Sequence, residues 1–173
     1  MSLGDAPDRR QAALRAMAHP IRLQILSLLT GAALTAADVA RELRLTHANA
    51  SYHLRNLLAA GLVGQDGEER IRGGVAKRYR YDAVRDQVTG ADAQRALFAS
   101  VANELIRRTA EADWSVGGSM TDAELWVDPD VFRKAYDRIA EVNRELHDAA
   151  RAPRTPGTVR TSTTIAMFRM VEE

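Results

Sequence analysis

Between Thr46 and Arg55 the sequence THANASYHLR gathers hydroxyl, imidazole, amide and guanidinium groups into less than three helical turns, and between Arg70 and Arg78 a second set of cations surrounds a Gly-Gly pair. Groups of these kinds hydrogen-bond to base edges and phosphates; they do not by themselves break bonds. The residues that could break bonds do not converge. His19, His47, His53 and His147 are scattered and the chain has no cysteine, so thiolate ligation, disulfides and thiol redox chemistry are excluded and no metal site is expected. The acidic pairs Asp128/Asp130 and Glu141/Glu145 are interleaved with Arg133, Arg138 and Arg144, as on a salt-laced helix surface, and do not suggest an acid-base pair. Gly73-Gly74 and Gly117-Gly118 lack the spacing and the following Lys-Ser/Thr of a phosphate loop and read as turns. Asn49-Ala50-Ser51 matches a glycosylation sequon by chance within a helical pattern. No catalytic residue and no cofactor are expected.

These side chains need elements to position them. Helical periodicity runs from Asp8 to Met17 and restarts at Pro20, whose fixed φ suits a first helical position. The second helix carries Ile21, Ile25, Leu28 and Leu29 and stops at Gly31. Thr35 is placed to cap a third helix, with Asp38 three residues on, and Val39 and Leu43 form its apolar stripe. Thr46 caps a fourth helix bearing Ala50, Leu54, Leu57 and Leu58, stopped by Gly61. Two short helices across a brief turn form a helix-turn-helix pattern. With Leu54 at the centre of the buried face, a rotation of about 100° per residue puts Asn49, Tyr52 and Asn56 opposite, flanked by His53 and Arg55. Leu62-Val63 and VAKRYRY (75–81) then read as a two-stranded hairpin with a basic outer face.

Beyond the hairpin, Ala91 to Glu111 repeats Ala93, Leu97, Val101 and Leu105, widened by Phe98 and Ile106, as a long helix for pairing protomers. Ser119 to Val127 is expected to be a strand, Asp128-Pro129 opens a helix with Val131, Ala135, Ile139, Val142, Leu146 and Ala149, and Thr163 to Val171 reads as a final buried strand. The fold class expected is α+β and mainly helical, with a small C-terminal strand-helix-strand segment. Residues 8–85 form the first domain and 86–173 an accessory one. Trp114, Trp126, Phe132, Tyr136 and Phe168 fall in the second half, where large aromatics line either an effector pocket or a dimer core.

Three features together resemble the ArsR-type winged-helix transcriptional regulators: H-P-x-R-x-x-I-L at His19, Pro20, Arg22, Ile25 and Leu26; S-x-H-L at Ser51, His53 and Leu54 followed by L-x-x-A-G-L-V from Leu57 to Val63; and the Arg/Tyr-rich hairpin strand. The resemblance implies a homodimer on double-stranded DNA, each fourth helix in a major groove of a palindromic operator. It implies recognition by Thr46, His47, Asn49, Ser51, Tyr52, His53 and Arg55, with Arg70, Arg72, Lys77 and Arg78 on the wing. His53 reads equally as a structural histidine between helix and wing, and His19 as a local cap or packing residue. Repression is expected to be relieved by a signal other than thiolate-bound metal, and a small-molecule effector is one candidate. The alternative is a winged-helix module that binds protein without reading DNA.

Charge agrees with a nucleic-acid partner: residues 1–85 carry 13 Lys/Arg against 8 Asp/Glu, and residues 86–173 carry 11 against 15. No apolar run reaches the length of a membrane span and the N-terminus lacks a signal-peptide core, so a cytoplasmic protein is expected and no membrane partner.

Overall fold

The computed structural model describes residues 16–17, 19–81 and 91–171. Most of the helix expected from Asp8 to Met17, and the boundary expected near residue 85, lie outside them. Among the described residues, five α-helices and one three-stranded antiparallel sheet make the α+β architecture expected: α1 (Pro20–Gly31), β1 (Leu34–Thr35), α2 (Ala36–Leu43), α3 (His47–Ala59), β2 (Val63–Ile71), β3 (Gly74–Tyr81), α4 (Ala91–Thr109) and α5 (Pro129–Ala149), with a 3₁₀ turn at Trp114–Val116.

Local chemistry sets the helix boundaries. At α2, the Thr35 N–H and hydroxyl donate to Asp38 Oδ2 (3.0 and 2.7 Å) and the Asp38 N–H donates back to Thr35 Oγ1 (3.2 Å), a closed capping box. Arg44 ends α2 in the left-handed region (φ 54°, ψ 39°), and the Leu45 N–H closes onto the Ala40 carbonyl at 2.9 Å. Thr46 Oγ1 then accepts from the Asn49 N–H at 3.2 Å and starts α3.

The core lies beneath the helix-turn-helix. Ile25, Leu26 and Leu29 of α1, Val39 of α2, and Ala50, Leu54 and Leu57 of α3 meet Leu34, Val63 and Tyr79 of the sheet and Leu62 just before β2. Ala16 and Met17 are buried there too. The strand order is β1-β3-β2. β1 adds a third strand to the two expected, pairing Leu34 with Tyr79 and Thr35 with Arg78.

Two expectations for the second half are corrected. Residues 119–127 and 163–171 are not strands. A strand persists when a neighbour takes up its backbone N–H and C=O groups, and neither segment has such a neighbour among the described residues. Their large side chains face solvent instead, Met120 92% and Trp126 90% exposed. The helix between them forms as expected: Asp128 Oδ1 accepts from the N–H groups of Asp130 (2.8 Å) and Val131 (3.4 Å), and Pro129 occupies the first turn.

Candidate nucleic-acid interface

On α3 the buried positions Ala50, Leu54 and Leu57 recur at a spacing of three and four, which turns the opposite face outward. Thr46, His47, Asn49, Tyr52 and Arg55 are exposed, and Ser51 and His53 are half-buried. Tyr52 keeps 56% of its surface, and its ring lies 5.3 Å from that of the adjacent His53. The free N–H groups of the α3 first turn open beside His47, so this end of the helix also favours an anion.

His53 faces inward. Its ring lies 5.0 Å from that of His19, tilted by 52°, with both Nδ1 atoms shielded from solvent and without a hydrogen-bond partner. Burial lowers the proton affinity of His53, and the neighbouring His19 and Arg22 lower it further. His53 thus packs against the residue that precedes α1. His19 packs without capping, since its side chain makes no cap hydrogen bond to α1.

The wing is a long ribbon. β2 and β3 pair from Val63↔Tyr81 to Ile71↔Gly74, with the register broken between Gln65 and Glu68, where Gly67 takes φ +86°. Tyr79 is buried in the core and Tyr81 packs against its edge. The alternation then sends Arg78 and Arg80 to the other face. There Arg80 Nε meets Asp66 Oδ2 at 2.6 Å. Arg78 reaches back to the Ala33 carbonyl through Nη2 (2.6 Å) and Nε (3.2 Å). Of the four wing cations singled out from sequence, Arg78 is thus engaged within the fold. Arg70, Arg72 and Lys77 are exposed and form no ion pair among the described residues. Asp66, Glu68 and Glu69 temper the ribbon's positive charge.

A further polar group escaped the sequence reading. Glu104 of α4 is only 6% exposed. It accepts from Gln24 Nε2 on α1 (3.2 Å), Arg107 Nη2 (2.6 Å) and Arg108 Nε (3.1 Å), while Arg108 Nη2 reaches Ser27 (3.3 Å). Burial raises the affinity of this carboxyl for its proton, but the donated hydrogen bonds outweigh it and leave Glu104 below the usual carboxylate range. Gln24 and Glu104 lie 80 residues apart, and nothing in local periodicity marks the pairing.

The aromatics of the second half do not converge. Phe132 and Tyr136 are 6.5 Å apart on α5, and Phe168 lies 5.6 Å from Phe98 of α4. Trp114 donates from Nε1 to the Thr109 carbonyl at 3.2 Å, and Trp126 stands in solvent. No group of three or more His, Asp or Glu side chains suited to a metal ion occurs among the described residues, and no described helix is long and apolar enough to cross a membrane.

Residues 17–65 match a family model described as a helix-turn-helix domain. No curated protein matches the chain. Among solved structures, similar chains include a possible transcriptional regulator for arsenical resistance, 28% identical over 58% of this chain and 96% of that one (TM-score 0.36). Another is the homodimeric winged helix-turn-helix DNA-binding domain of a possible ArsR-family regulator from Mycobacterium bovis, 28% identical over 62% of this chain and 93% of that one (TM-score 0.39). A third is an ArsR-like transcriptional regulator from a Rhodococcus species, 22% identical over 82% of this chain and 98% of that one (TM-score 0.38).

Proposed function

We propose that this chain, a winged helix-turn-helix protein of the ArsR type, is a transcriptional regulator that binds double-stranded DNA as a homodimer. One observation carries the reading: the outward face of α3, capped by Thr46 and bearing His47, Asn49, Tyr52 and Arg55, has no partner element among the described residues and stands beside a ribbon with three uncommitted cations. An α-helix fits the major groove, and cations on a projecting hairpin reach the neighbouring phosphates or minor groove.

In this reading His47, Asn49, Ser51 and Tyr52 read bases, Thr46 and Arg55 hold phosphates with Arg70, Arg72 and Lys77, and His53 and Arg78 keep helix and wing in place. The helix α4, together with the one preceding Pro20, pairs the protomers. Two-fold symmetry then demands a palindromic operator with half-sites about 34 Å apart. The protein acts in the cytoplasm as a repressor. Residues 86–173 receive the signal, which is not a thiolate-bound metal because the chain has no cysteine, and binding there alters the spacing of the two α3 helices.

Selection of bound sequences from a random duplex pool, with the full chain at low salt, tests this. Enrichment of a palindrome supports it. An unenriched pool, or binding to a protein partner with no systematic salt dependence, refutes it in favour of an interaction module.

A further inference from the structure

The apolar positions of α5 follow a strict repeat. Phe132, Ala135, Ile139, Val142, Leu146 and Ala149 are spaced 3, 4, 3, 4 and 3, three heptads with Phe, Ile and Leu at one seam position and Ala, Val and Ala at the other. Within the chain this seam is only partly covered: Phe132, Ala135 and Ile139 are half-buried, while Val142, Leu146 and Ala149 are exposed. Val142 and Leu146 keep 53% and 49% of their surface, and α5 comes close to α1 near its C-terminal end, where a Cβ on Gly31 would stand 3.1 Å from that of Ala150.

We propose that α5 forms an antiparallel two-helix coil with α5 of a second copy, centred between Ala140 and Glu141. Alanine then faces a large residue in the outer layers, Phe132 against Ala149 and Ala135 against Leu146, and Ile139 faces Val142 in the middle, each pair occurring twice. Parallel pairing would set alanine against alanine in two layers and leave gaps. Charge selects the same arrangement. Arg138 and Glu145 flank the seam on one side. They are seven residues apart, too far to meet within one helix, and neither forms an ion pair among the described residues. In the antiparallel register Arg138 of each helix lies opposite Glu145 of the other, giving two interhelical pairs; in the parallel one neither meets an opposite charge.

The exposed area of the chain, to which residues 119–127 and 151–171 contribute as well as α5, leaves room for a second copy as the occupant. The chain exposes 13511 Å², whereas a compact monomer of its 19.0 kDa exposes about 8,400 Å². Granting every residue outside the described ones the full surface of an extended chain, about 4,300 Å², still leaves a surplus of about 1,800 Å² over a compact chain of the remaining size. A standard interface covers about 800 Å² per partner. The coil rests on the homodimer proposed above only for the presence of a second copy, and it adds a contact apart from α4.

The absence of native cysteine makes the test direct. In the full-length chain, Ala135→Cys combined with Leu146→Cys is expected to oxidise to a covalent dimer. Each single variant is not, because equivalent residues stand about 16 Å apart along the antiparallel seam. Cross-linking of either single variant would mean parallel pairing and overturn the proposal. The charge reversal Arg138→Glu is expected to weaken dimerisation, read by sedimentation, about tenfold, and Arg138→Glu with Glu145→Arg to restore it. A dimer that forms without the cross-link and ignores the reversal overturns the coil and leaves the α4 dimer standing; a chain that stays monomeric overturns both.

Discussion

Arg78 donates two hydrogen bonds from its guanidinium to the carbonyl of Ala33, 45 residues away, and so ties the wing strand β3 to the chain just before β1. Ala33 is buried, and without this donor its carbonyl would be left without a charge-assisted partner. Arg78→Ala is therefore expected to destabilise the fold by about 1 to 3 kcal/mol, measured by urea denaturation. A loss below about 0.5 kcal/mol would return Arg78 to the pool of free surface cations.

The exposed cations make a contrasting forecast. Replacing Arg70, Arg72 and Lys77 together by alanine should leave the unfolding midpoint nearly unchanged. It should also reduce the slope of log affinity against log salt by about 0.9 for each phosphate that these cations neutralise. Titration of duplex DNA at several salt concentrations reads this, and an unchanged slope would remove the wing from the interface.

Leu54 and Tyr52 lie two positions apart on α3 and face opposite ways. Leu54→Ala opens a cavity in the core and is expected to cost about 2 to 5 kcal/mol of stability. Tyr52→Ala should cost little stability while lowering DNA affinity at least severalfold. Stability and duplex binding measured on the same two variants separate them, and equal effects on both readouts would contradict the assignment of faces.

Stability should depend on pH in two windows. Burial, then His19 and Arg22, hold the proton affinity of His53 below the ordinary 6.5. The unfolded chain therefore takes up a proton that the folded chain resists. Stability is whole above 6.5 and falls as pH drops below it. For Glu104 the hydrogen bonds from Arg107, Gln24 and Arg108 outweigh burial, so its contribution is present above the ordinary 4.5 and is lost as pH falls through the lower folded value. Unfolding midpoints recorded from pH 8 down to about 3 should show both declines, His53→Asn flattening the first and Glu104→Gln the second. Unaltered profiles in both variants would refute the attribution.

What was legible in the sequence is what local chemistry decides. The Thr35/Asp38 box, the caps at Thr46 and Asp128 and the buried stripe of α3 all follow from residues within a few positions of each other, and all are found. What was not legible depends on distant partners: β1 pairing with β3, Arg78 turning inward, and Glu104 buried against α1. The two expected strands failed for the same reason. Residues 119–127 and 163–171 carry the apolar, β-branched composition of strands, but composition does not supply the neighbouring ladder. On the interface, sequence identified the outward face of α3, while the division of wing cations into engaged and free needed the register of the hairpin.

Among the described residues the strand order leaves β2 with one unpaired edge, nine residues long and solvent-facing beyond Val63. Such an edge is a template for the β-strands of other chains, and repeated addition leads to fibres. Here the irregular step at Gln65–Glu68 bends the edge, and Asp66, Glu68, Glu69 and Arg70 line it with charge. The carboxylates that weaken the wing's pull on an anion thereby keep the protein dispersed, so neutralising them to tighten binding would trade colloidal stability for affinity.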